Sequence, residues 1–121
     1  MSENTTALRG IADRVQAATG EDDEVQFILY ELVPLFDLST SEAGTIRLFT
    51  SACAYHDAAL ALMEAVLPGW LWTKKWSERN VVALIRPNQG PVVRGFEGEA
   101  ATVPLAIILA LLTALINAEQ P

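Results

Sequence analysis

The sequence predicts an α+β fold in which a three-stranded antiparallel meander is packed with N-terminal helices and closed by a very apolar C-terminal helix. Three observations carry this. In the first half, apolar residues recur at helical spacing between glycine and proline stops; from Trp70 to Phe96, aromatic and β-branched residues run in short stretches between turn signals; and residues 103–116 are apolar nearly all round. A chain of 121 residues is the usual size for one domain, so residues 1–121 are read as a single unit. With 51% hydrophobic and 19% charged residues, wholesale disorder is excluded and large apolar faces must be covered.

Leu8, Ile11, Ala12 and Val15 form the stripe of a first helix, with Asn4, Thr5 or Thr6 as N-cap and Gly20 as its stop. Glu21-Asp22-Asp23-Glu24 stands where a second helix begins, and Val25, Ile28, Leu29, Leu32 and Val33 give that helix its apolar face up to Pro34. Acids at a helix N-terminus complement the macrodipole. Residues 35–50 show no clear period, although Thr45 to Phe49 alternates like a short strand or extended loop. A third helix, rich in Ala, Leu and Met, starts at Ser51 or Asp57 and ends at Pro68-Gly69.

Trp70, Trp72, Lys74 and Trp76 then share one side of a strand, because strand side chains alternate. That face is expected to form the core floor beneath the last helix. Ser77 to Asn80 reads as a hairpin loop, Val81 to Ile85 as a covered strand, residues 87–91 as a turn and Val92 to Phe96 as the returning strand, loosened at its end by Gly95 and Gly98. Thr102 caps the final helix, with Pro104 in its first turn and an end near Ala118. Leucines and isoleucines cover most of its surface, with Ala106, Ala110, Ala114 and Ala118 as a small-residue line between them. Such a helix must be buried on nearly all sides, by the sheet, by the other helices or by a second subunit.

The net charge of −7 argues against general nucleic-acid binding. The charge is unevenly spread: residues 1–69 hold eleven acids and three arginines, whereas residues 70–94 hold Lys74, Lys75, Arg79, Arg86 and Arg94 against Glu78 alone. The tryptophan segment is thus a basic island in an acidic chain. Aromatic faces stack on bases while Lys and Arg neutralise phosphates, so Lys74, Lys75, Arg79, Arg94 and Trp76 are the candidate ligand-binding residues, with a nucleotide or other anion as the ligand.

Catalytic signals are weaker. Cys53 and His56 are one helical turn apart if both lie on the third helix, and a thiolate nucleophile needs such a neighbour; the flanking Ala52, Ala54, Ala58 and Ala59 favour packing instead, and no catalytic residue is assigned. His56 and Asp57, being adjacent, point about 100° apart on a helix. Gly90, Gly95 and Gly98 do not make a phosphate loop, and Glu97 with Glu99 reads as a solvated strand edge. One cysteine and one histidine leave no zinc cluster, and the acids at 21–24 lack the spacing of a calcium loop, so neither metal nor cofactor is expected. The start MSENTTALRG is not a signal peptide, and residues 103–116 are too short to span a bilayer, so no membrane partner is expected.

Three stretches, ADRVQAATGEDDEVQF, HDAALALMEAVLPGWLW and GFEGEAATVPLAIILALLTALI, resemble small bacteriophage and prophage proteins of the phage ABA-sandwich domain family. Ala17 to Gly20 match that family's first helix end, Asp57 to Leu60 with Pro68, Gly69, Trp70 and Trp72 its helix-to-hairpin passage, and Ala100 to Thr102 with Pro104 the opening of its last helix, with Val103 as an added residue. The resemblance implies phage origin, a location in the host cytoplasm and an accessory, non-enzymatic role. Small phage proteins of similar build act against host immunity by sequestering nucleotide signals in oligomers or by blocking a defence protein. The expected function is therefore an anti-defence protein that binds an anionic nucleotide signal and self-associates through its C-terminal helix. The alternatives are a protein-blocking inhibitor of the anti-CRISPR type, whose acidic surface mimics nucleic acid, and a phage structural or assembly protein.

Overall fold

The computed structural model describes residues 3–75, 78–86 and 95–118. The fold is α+β. Helices α1 (Glu3–Ala17), α2 (Asp22–Leu32), α3 (Thr40–Ser51) and α4 (Tyr55–Val66) precede strands β1 (Leu71–Lys75), β2 (Asn80–Ile85) and β3 (Gly95–Ala100), and α5 (Val103–Ala118) follows. A 3-10 turn, Val33–Leu35, extends α2 through Pro34. The strands form one antiparallel sheet in the order β1-β2-β3.

Helix α5 sits against β2 and β3 on one side and against α1 and α4 on the other. Its start is held as the capping rules require: the Leu105 amide donates to Thr102 Oγ1 at 3.3 Å and the Ala106 amide to the Thr102 carbonyl at 2.9 Å. Every residue from Leu105 to Leu112 is buried, as is Ala114. Each fully buried Leu or Ile there contributes about 1.5–3 kcal/mol relative to exposure, which makes α5 the centre of the core. The chain itself thus covers the apolar surface of residues 105–112. Among the described residues no helix is long and apolar enough to cross a membrane.

Gly98 sets how closely α5 approaches the sheet. It lies opposite Val82, on the face with Leu84 and Ala100, and is buried. A Cβ at this position would fall 2.5 Å from the Ala106 carbonyl oxygen, 2.9 Å from the Leu109 carbonyl carbon and closer still to the Ala110 amide nitrogen. Gly98 therefore does not loosen a strand end; it admits the helix backbone, and Ala106 and Ala110 are the small residues that come down on it.

Two expectations are corrected. Thr45 to Phe49 is helical, within α3, because Ser39 and Glu42 form a capping box: the Glu42 amide donates to Ser39 Oγ at 3.1 Å and the Ser39 amide to Glu42 Oε1 at 2.9 Å. Only Ile46 and Thr50 of α3 are fully buried, too few to print a helical period on the sequence. Of the tryptophan face, Trp70 packs against the core, but Trp72 is not part of its floor. All five residues of β1 are exposed; because α5 lies over β2 and β3, this includes Trp72 on the helix-side face, which keeps 36% of its surface. Trp70, just before β1, is half-buried and stacks obliquely on Phe96 at 6.0 Å between ring centroids. The described part of the last strand runs from Gly95 to Ala100; Val92 to Arg94 lie outside the described residues, as does Trp76.

The left-handed turn between α1 and α2 is fixed at the start of α5. Gly20 has φ of +95°, a conformation that L side chains rarely adopt, and a Cβ there would fall 2.6 Å from Thr102 Cγ2.

Gly98→Ala should destabilise the protein by at least about 2–3 kcal/mol, since helix backbone rather than a flexible side chain must move. In α3, Gly44→Ala meets nothing within 4 Å and should stabilise it by about 0.5–1 kcal/mol. Urea unfolding of the two variants measures both, and equal midpoints would refute the packing account.

Candidate functional site

Strand register decides what becomes of the basic segment. Lys74 pairs with Val82 and Trp72 with Leu84, so both belong to the helix-side face; Lys75 pairs with Val81 and belongs to the outer face. The two lysines are on opposite sides of the sheet. Lys75 makes an ion pair with Glu97, reaching diagonally across β2, and both side chains are about half exposed. Arg79 lies before β2 and lines an open cavity of about 420 Å³ together with Glu97, Glu99 and Thr113. Arg86, at the end of β2, stands over the Trp70 ring at 5.4 Å from its centroid. Of the five candidate ligand residues, Lys75 and Arg79 thus both lie near Glu97, Lys74 is on the opposite face, and Trp76 and Arg94 lie outside the described residues. On the same face as Lys74, Trp72 meets the His56 ring edge-on at 5.8 Å.

The cysteine reading changes as well. Cys53 falls in the turn between α3 and α4, with φ of +61°, and is exposed. It is therefore not one helical turn before His56, which belongs to α4 and turns to Trp72. The thiol interacts with Tyr55 instead. Its hydrogen bond with the Tyr55 hydroxyl, then burial, then the negative charges at Cys53, Asp22 and Asp23 raise the Tyr55 pKa above the usual phenol value. This arrangement holds a proton on the phenol.

The acidic run does what a helix start needs. Glu24 Oε1 accepts from the Thr19 amide at 3.0 Å, the Thr19 hydroxyl at 2.9 Å and the Glu21 amide at 3.4 Å. The Thr19 hydroxyl bond is the main cause of the lowered Glu24 pKa. Among the described residues no group of three or more His, Cys, Asp and Glu is placed to hold a metal ion.

What sequence reasoning missed is a groove between α1 and α2. An ion pair from Arg14 to Glu31, at 2.6 Å, crosses it. On one side lies a cavity of about 480 Å³ lined by Ala17, Asp23, Phe27 and Ile28; on the other lies one of about 420 Å³ lined by Ala7, Gly10, Ile11 and Leu35; Arg14 lines both. Phe27 is 66% exposed. Two signals pointed here: Phe27 falls off the Val25-Ile28-Leu29-Leu32 stripe, and Gly10 sits inside a helix that would be stronger with alanine. Comparison of the chain with known protein families, curated proteins and solved structures finds no match.

Because the folded-state pKa of Tyr55 is raised, the stability it contributes is complete below the unfolded value of about 10 and is lost as pH rises beyond it. In a Tyr30→Phe background, tyrosinate absorbance should titrate above the usual phenol range, and Cys53→Ala should bring it back toward that range. An unshifted titration with Cys53 present would remove the Cys53 to Tyr55 contact.

Proposed function

We propose that this chain is a non-enzymatic accessory protein that acts by binding and blocking a protein partner through its acidic N-terminal half, the anti-CRISPR-type reading that the resemblance to phage proteins allows. The observation that carries this is the distribution of charge. Residues 3–32 hold seven acids and two arginines, of which Asp23, Glu24, Glu31 and Arg14 line an open groove, whereas Lys75, in the basic segment, is already matched by Glu97 on its own sheet. A surface of that sign steers a cationic partner and suppresses anionic ones.

A second reading keeps a nucleotide ligand. Lys74 and Trp72 share one face of an exposed strand, beside His56, and that grouping offers an ammonium and an aromatic ring to a phosphate and a base.

Two measurements divide the readings. The tagged protein, expressed in a host carrying an immune system that it silences, should co-purify with a component of that system. Asp22→Asn with Asp23→Asn should lower that affinity about three- to tenfold at low salt, with the difference shrinking as salt rises. Glu24 is left intact because it holds the α2 cap. Titration calorimetry with cyclic and ADP-ribose-type nucleotides should give no heat; heat that disappears in Lys74→Ala would select the second reading over the first.

A further inference from the structure

Neighbouring helices in a small domain usually close on each other, but α1 and α2 are drawn apart by what they cover: α1 packs on α5 and β3, and α2 on α3 and α4. The groove between them has an apolar floor, Ile11 and Ile28, at 6% and 3% exposure. Phe27 forms one lip. At Gly10 the space is open: a Cβ there would meet no atom within 4 Å, so a partner's backbone can approach the α1 backbone closely.

We propose that this groove receives a positively charged amphipathic helix of the partner protein. The inference rests on the protein-binding reading and names the chemistry of its partner. A helix fits because both walls are helices, whose backbone groups are bonded within themselves. An extended peptide would find no strand edge to satisfy its own amides, whereas a helix brings its bonds with it and needs only apolar anchors. The two apolar sections flank the Arg14 to Glu31 bridge along α1, which is about 22 Å long, a length that admits anchors spaced one or two turns apart. Positive charge fits because Asp23 and Glu24 line the Phe27 section beside Arg14, which is itself matched by Glu31, and the acidic run at residues 21–24 borders that section. A second copy does not suit the groove, since none of the five helices carries a net positive charge.

The test uses a labelled Leu/Lys amphipathic peptide of about four turns and its Leu/Glu counterpart, read by fluorescence anisotropy against the full chain. The lysine peptide should bind and the glutamate peptide should not. Gly10→Leu, which fills one section, and Phe27→Ala, which removes the lip, should each weaken binding at least about tenfold. Leu48→Ala, on the exposed face of α3, should not. Gly10 and Phe27 are both exposed, and thermal melts verify that the variants stay folded.

Lysine-peptide binding unchanged in Gly10→Leu and Phe27→Ala means charge attraction without a groove and overturns the inference. If the lysine peptide fails to bind while the immune component is still captured, and lost with Asp22→Asn and Asp23→Asn, the groove inference falls and the protein-binding reading stands; if neither binds, both fall. A concentration-dependent dimer by light scattering that Gly10→Leu abolishes would seat a second copy in the groove and also overturn it.

Discussion

The contact of Gly98 with the backbone of α5 is the constraint on which the rest of the molecule depends. A helix without a single charged residue is tolerable in water only if it is enclosed, and enclosure needs the sheet at close range on one side. Gly98, facing Ala106 and Ala110, allows that range. Once α5 is seated over β2 and β3, its other flank is left for α1 and α4, and β1 is met by α4 through His56 against Trp72. The exposed Trp72 therefore follows from where α5 lies, despite its apolarity, whereas Leu71 is exposed on the outer face.

A second junction orders the N-terminal half. Thr102 caps α5 and also lies against Gly20, whose positive φ turns the chain from α1 into α2. One residue earlier, Thr19 donates twice to Glu24, which fastens the start of α2. A few polar contacts thus set the angle between α1 and α2 relative to α5. Each of these helices is then committed to a different neighbour, and the groove between them is the space left over. Its acidic rim has two roles, since part of the same run caps a helix and part faces the groove.

The basic segment shows how pairing changes the meaning of a charge cluster. Five cations within 25 residues look like one site in a linear reading. In the sheet, alternation sends Lys74 and Lys75 to opposite faces, cross-strand geometry gives Lys75 to Glu97, and Arg86 is spent over Trp70. Among the described acids of the N-terminal half the ion pair is the Arg14 to Glu31 bridge, so most of the net charge of the chain is expressed there.

The sequence by itself determined the α+β class, the meander, the acidic start of α2, and the Thr102 cap and extent of α5, because each rests on local chemistry: hydrophobic period, turn residues and capping side chains act over a few neighbouring positions. It also marked the small-residue line of α5, though not that Gly98 was its counterpart. α3 was misread because only Ile46 and Thr50 are buried deeply, and a helix that contributes so little to the core leaves no period to read. Tertiary structure alone decided that α5 would cover two strands rather than three, that Trp72 would stay at the surface, and that Phe27 and Gly10 would border one groove. Those outcomes depend on contacts between residues far apart in the chain, whose energies are set by which surfaces meet and not by the order in which the residues are written.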